Sequence, residues 1–77
     1  MTRVAFTLAE SQVMDLGVFD LSGRRIASLM SGWRPAGSLT VNWDGRDAAR
    51  CQVSPGIYFA RLTAKSRTQI ARLVRVR

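Results

Sequence analysis

Histidine is absent from the 77 residues, and cysteine occurs once, at Cys51. These absences exclude a disulfide within the chain, a zinc site built on cysteine and histidine, and any histidine-based catalytic dyad. Most enzyme chemistries fall with them. No apolar run approaches the ~18 residues that a membrane-spanning helix needs. Residues 1–6, MTRVAF, hold neither a long apolar segment nor a small-residue cleavage site, so no signal peptide is expected in this chain. Acidic residues stop at Asp47.

That last absence makes the charge lopsided. Residues 1–47 carry five basic and five acidic groups and sum to zero, whereas Arg50, Arg61, Lys65, Arg67, Arg72, Arg75 and Arg77 supply the whole net charge of +7. Such asymmetry can mark an anionic partner. An apolar fraction of 47% excludes a disordered tail. The length implies a single domain over 1–77, which buries only about 60–65% of its unfolded surface and so has one modest core.

The periodicity is that of strands. Val4, Phe6 and Leu8 alternate with Arg3, Ala5 and Thr7; Met14, Leu16 and Val18 alternate with Asp15, Gly17 and Phe19; Leu39, Val41 and Trp43 alternate with Thr40, Asn42 and Asp44. Residues 56–64 form a β-branched and aromatic run, and residues 69–77 read apolar and basic by turns. Residues 25–30 are ambiguous, because Ile26, Leu29 and Met30 also fit one helical turn. Between the runs lie turn signals. Asp20-Leu-Ser-Gly23 fits a type I turn followed by a left-handed residue, Asp44-Gly45 separates two strands, and Ser54-Pro55-Gly56-Ile57 carries a type II signal. Together they predict an all-β fold, a small sandwich or barrel.

Candidate sites are few. Trp43, Tyr58 and Phe6 could form an aromatic platform, but a chain this short needs them between its sheets. Trp33, in a polar stretch, is expected to pack in the core, with a binding contact as the alternative. Asp20, Asp44 and Asp47 could suggest calcium, yet the segment Asp44-Gly-Arg-Asp47 lacks the alternating acids of a calcium loop, and turn chemistry explains them better. Asp44 and Asp47 as a glycosidase pair would need a deep cleft that a small sandwich does not offer. Cys51 lacks a histidine partner and reads as a loop thiol. In the basic terminal run, Arg75 and Arg77 share one strand face and Val74 and Val76 the other. Arg72 then falls with the valines unless a bulge intervenes. The run reads equally as an edge strand charged against aggregation and as a recognition element.

Taken in order, VFDLSGRRI (18–26), Ala36-Gly37, VNWDGRD (41–47), VSPGIYF (53–59) and RLVRVR (72–77) resemble the FlgD-type immunoglobulin-like domain. That module is named for the flagellar hook-capping protein and is close kin to the C-terminal sorting domain of type IX secretion. The resemblance covers roughly residues 3–77. It implies a sandwich of about six to seven short antiparallel strands with a structural or targeting role, no active site, no metal and no cofactor. The sequence departs from the family pattern in lacking the segment that leads into the first strand, in placing Arg50 where the family has glycine, and in Cys51. The first departure suggests a fragment or a truncated open reading frame.

The resulting expectation is an immunoglobulin-like β-sandwich that is not an enzyme. Its core and turns rest on Phe6, Leu16, Val18, Asp20, Gly23, Trp43, Asp44, Gly45, Pro55, Gly56 and Tyr58. The primary reading is a C-terminal sorting or attachment module of an exported or cell-surface bacterial protein, whose secretion or surface-attachment machinery contacts Arg72, Leu73, Arg75 and Arg77. The alternative is a structural scaffold, as in hook capping, packing against neighbouring subunits. A basic nucleic-acid-binding module ranks last, since aromatic–basic interleaving and nucleic-acid motifs are absent.

Overall fold

A computed structural model describes residues 2–65 and 67–76, and the elements among them are all strands. They are β1 (Thr2–Leu8), β2 (Gln12–Phe19), β3 (Arg25–Arg34), β4 (Gly37–Trp43), β5 (Gly56–Ala64) and β6 (Arg67–Arg75). β1 and β4 form an antiparallel two-stranded sheet. The other sheet has the order β3-β2-β5-β6, with every neighbouring pair antiparallel. The expected small immunoglobulin-like sandwich is the fold observed, with six strands.

The period-2 pattern does what it predicts. Val4, Phe6 and Leu8 of β1 and Leu39 and Trp43 of β4 are buried against Met14, Leu16 and Val18 of β2. Tyr58, Ala60, Leu62 and Ala64 of β5 and Leu73 of β6 complete the core. Trp43, the largest of the buried side chains, is 1% exposed. It pairs with Tyr58 at 5.4 Å between centroids and 67° between planes, a T-shaped pair worth about 0.5–1.5 kcal/mol beyond its buried area.

β3 explains its own ambiguous sequence. Its register with β2 slips twice, between Leu16 and Gly17 and between Val18 and Phe19. Ile26 and Leu29 are the residues left without a partner in that register. Each bulge lets two consecutive residues turn toward the core, so Ile26 and Ala27, and then Leu29 and Met30, all pack against it. Ile26, outside the ladder, accepts a bond at its carbonyl from the Ala48 amide at 3.1 Å.

Two loops are built alike. Asp20 Oδ1 accepts bonds from the amides of Ser22 (2.9 Å) and Arg24 (3.0 Å), while the Gly23 amide donates to the Asp20 carbonyl and the Asp20 amide to the Arg24 carbonyl. Asp47 repeats every one of these bonds with Ala49, Cys51, Arg50 and Cys51 in turn. The fourth residue is left-handed in both, Gly23 at φ 87° and Arg50 at φ 70°. Glycine tolerates that region freely and arginine does not.

Three expectations need correction. Ser54–Ile57 is not a type II turn: Gly56 sits at φ 154°, far from the ~80° that turn requires. The Ser54 carbonyl is taken by the Tyr58 hydroxyl instead, at 2.7 Å. This is the tyrosine-corner arrangement of immunoglobulin-like sandwiches. Trp33 is 63% exposed, not core, because its position in β3 pairs with Val13, itself 65% exposed, on the outer face of β2. In β6, Gln69, Ala71, Leu73 and Arg75 face inward, whereas Arg72 and the valines at 74 and 76 face out. No bulge is needed, since the apolar–basic face is the solvent-facing one.

Trp43→Ala is expected to cost about 3–5 kcal/mol, comparable with the whole stability of a domain this size, and to abolish cooperative thermal unfolding. A variant that still melts cooperatively near the parental temperature contradicts the central place of this ring. Arg50→Gly is expected to stabilise by up to about 1 kcal/mol, raising Tm by roughly 4–8 °C per kcal/mol. A fall in Tm would show that position 50 is unstrained.

Candidate interaction surface

The basic terminal strand does not present its residues as a set. Arg72 is exposed on the outer face of the four-stranded sheet. Leu73 is 6% exposed and belongs to the core, so its side chain is not available to a partner. Arg75 is half-buried on the inner side, with its guanidinium laid against Gly45. Gly45 is buried at φ 78°, and a Cβ there would fall within the volume the guanidinium occupies. Arg75 therefore ties the end of β6 to the loop after Trp43. Arg77 lies outside the described residues.

A different constellation emerges on the outer face. Phe19 is 6% exposed yet stands apart from the core cluster, on the opposite side of the sheet. Arginines bury it. The Arg61 guanidinium sits 3.8 Å from the ring centroid and that of Arg25 sits 4.9 Å away. Such cation–π contacts contribute about 0.5–1 kcal/mol at exposed sites, and the aliphatic stems shield the ring from water. Arg25 also donates to Asp15 Oδ2 at 2.7 Å and to Ser28 Oγ at 3.1 Å. Gly17 makes this possible, because a Cβ there would stand 2.6 Å from the Arg25 guanidinium.

The strand registers extend the cluster across the sheet. Arg25 pairs with Phe19, Phe19 with Phe59, and Phe59 with Arg72. An Arg-Phe-Phe-Arg row thus crosses all four strands. Gly17, Arg61 and Ile70 form the adjoining row. The sequence reading missed this face, although one signal was available: Phe19 and Phe59 occupy the parity opposite to their core neighbours Val18 and Tyr58.

The acids serve backbone. Asp44 Oδ1 accepts from the Arg46 amide at 3.0 Å, and the Asp20 and Asp47 carboxylates hold their loops as described above. A bond from the Ser22 hydroxyl, followed by the Arg24 and Ser22 amides and the Arg24 charge, holds the Asp20 carboxyl below its usual 3.8. Cys51 is exposed and its sulfur faces the Ala49 carbonyl at 3.9 Å. Among the described residues no group of three or more acids and cysteines could hold a metal ion, and no helix is long and apolar enough to cross a membrane.

Gly45→Ala is expected to cost about 1–2 kcal/mol, from the left-handed backbone and the displaced guanidinium. Combining it with Arg75→Ala should recover part of that loss in denaturant melts. Strict additivity of the two changes would show that they do not touch.

Comparison with known proteins places this geometry. The FlgD Ig-like domain family matches residues 2–68. Comparison with curated proteins found no match. Among solved structures, the crystal structure of FlgD from P. aeruginosa is similar to the chain, with a TM-score of 0.68 and 23% identity. The match covers 94% of this chain and 58% of that one, so the chain spans little more than half of that protein. At this identity the likeness is one of fold. Sandwich, tyrosine corner and sequence agree, and the chain belongs to the FlgD Ig-like domain family.

Proposed function

We propose that the chain is a non-catalytic immunoglobulin-like scaffold module that works by packing against neighbouring protein subunits. The observation that carries this reading is the family match over residues 2–68, a structural family. Two features of the chain agree with it. The carboxylates at 20, 44 and 47 are bound to backbone amides in turns, which leaves them engaged in architecture. The core aromatics are locked by hydrogen bonds and packing, as a rigid spacer requires.

A second reading is export or surface attachment, with β6 as the handle. It is favoured by one observation: β6 is an edge strand of its sheet, and Arg72 projects from it into solvent. In this reading the module sits in an exported bacterial protein and meets a transport component.

A photo-crosslinking amino acid placed at exposed positions of either sheet, in the polypeptide that carries this module, separates the two. Scaffold packing predicts cross-links to a stable subunit partner that persist in the assembled state. Sorting predicts transient cross-links to transport components, and retention inside the cell of a reporter whose fused module carries Arg72→Gln. Absence of subunit cross-links from every surface position would overturn the scaffold reading.

A further inference from the structure

The two outer faces of the sandwich differ in kind. On the β1–β4 sheet the outward positions are Arg3, Ala5 and Thr7, and Ser38, Thr40 and Asn42. These are small or polar groups, the usual composition of a solvated sheet face. The outer face of the larger sheet instead carries Arg25, Arg61 and Arg72 set among phenylalanines at 19 and 59 and aliphatic side chains. Ile70 is 63% exposed, Val74 56% and Ile57 38%. Contiguous exposed apolar groups of this kind mark interaction surfaces.

From this contrast we infer that the outer face of the β3-β2-β5-β6 sheet is the docking surface for an acidic protein segment with interspersed aliphatic side chains. The inference rests on the scaffold reading and specifies where a partner sits and what chemistry it offers. Charge decides the sign. Asp15 is the acid in the outer-face cluster, and its carboxylate is already held by Arg25. The Arg61 guanidinium lies over the Phe19 ring, 3.8 Å from its centre, which holds the group in place before a partner arrives. Arg72 lies at the end of the Phe19–Phe59 row, across the sheet from Arg25. Planar guanidinium groups held in place suit carboxylates, because less side-chain entropy is lost on pairing.

Two other occupants fit less well. A second copy docking through the same face would set arginine against arginine, and like charges across an interface are costly. Nucleic acid interfaces are polar and wet. They do not call for aliphatic groups exposed between the arginines, whereas the centre of a protein–protein contact does.

The test uses the full chain, labelled with nitrogen-15. The probe is a synthetic peptide of alternating glutamate and valine, compared with an all-glutamate peptide and a short DNA duplex. The glutamate–valine peptide should shift amides of β2, β5 and β6 and leave β1 and β4 unmoved. Arg61→Gln and Arg72→Glu should each weaken it by about tenfold, while Arg3→Glu on the opposite sheet should change it by less than about twofold. Ile70→Thr removes apolar contact without touching charge and should also weaken binding. Thermal melts of each variant establish that it is folded.

Equal binding of all three probes, or an equal effect of Arg3→Glu, would reduce the face to general polyanion attraction and overturn the inference. Tighter binding of DNA would overturn it in favour of a nucleic-acid partner. No binding of the glutamate–valine peptide would also overturn it. Subunit cross-links that arise from the β1–β4 face alone would sink this assignment and leave the scaffold reading standing. Their absence from both faces would remove the scaffold reading itself.

Discussion

Trp43 ends β4 with its ring between the two sheets and its indole N–H pointing along the chain that follows. The N–H donates to the Arg46 carbonyl at 3.0 Å, which bends the loop back over the ring. The ring forms a T-shaped pair with Tyr58, whose hydroxyl reaches the Ser54 carbonyl at 2.7 Å. One aromatic pair therefore fixes both ends of the long connection between β4 and β5 and the separation of the sheets. In a domain of this size few other contacts could take over. Val4, Phe6, Leu8 and Leu39 also pack the two-stranded sheet onto the larger one, but Trp43 alone joins that packing to the loop that follows β4.

The connection from 44 to 55 shows how a short chain makes a loop rigid. Asp44 and Asp47 each accept backbone amides, Gly45 receives the Val53 amide on its carbonyl, and Ala48 donates to Ile26 on a different strand. Arg75 then covers Gly45 from β6. Strands from both sheets converge on this loop, so it acts as the closure of the sandwich. The left-handed arginine at 50 is tolerated because the surrounding bonds over-determine its backbone.

In the proposed scaffold role, function resides in the surface that meets a neighbour. The asymmetry between the outer faces gives the molecule a direction. One sheet presents small and polar groups to water, while the other presents arginines set over phenylalanine and bare aliphatic groups. Burying Phe19 beneath two arginines also lets an aromatic lie on an exposed sheet face without inviting uncontrolled association.

The sequence by itself determined the strand class, the core parity and the turn acids. Alternation at 4, 6 and 8, or at 14, 16 and 18, leaves one face to bury, and Asp at 20 or 47 bonds amides only a few residues away. Local chemistry of that kind needs no tertiary information. Other features depended on partners distant in the chain. The two bulges of β3 made a helix-like pattern into a strand, because each slip against β2 leaves one residue, Ile26 or Leu29, unpaired and turned toward the core. The type II signal at Pro55-Gly56 yielded to Tyr58, which claimed the carbonyl the turn would have used. Trp33 was placed outside by its register with Val13, a pairing that its own neighbours do not encode. The basic terminal strand was legible as a charge run. Its division into an exposed Arg72, a core Leu73 and an Arg75 folded over Gly45 followed from which side of β6 met the other sheet. The arginine–phenylalanine face assembles residues 15 to 72 from four strands, and only their lateral order brings it together.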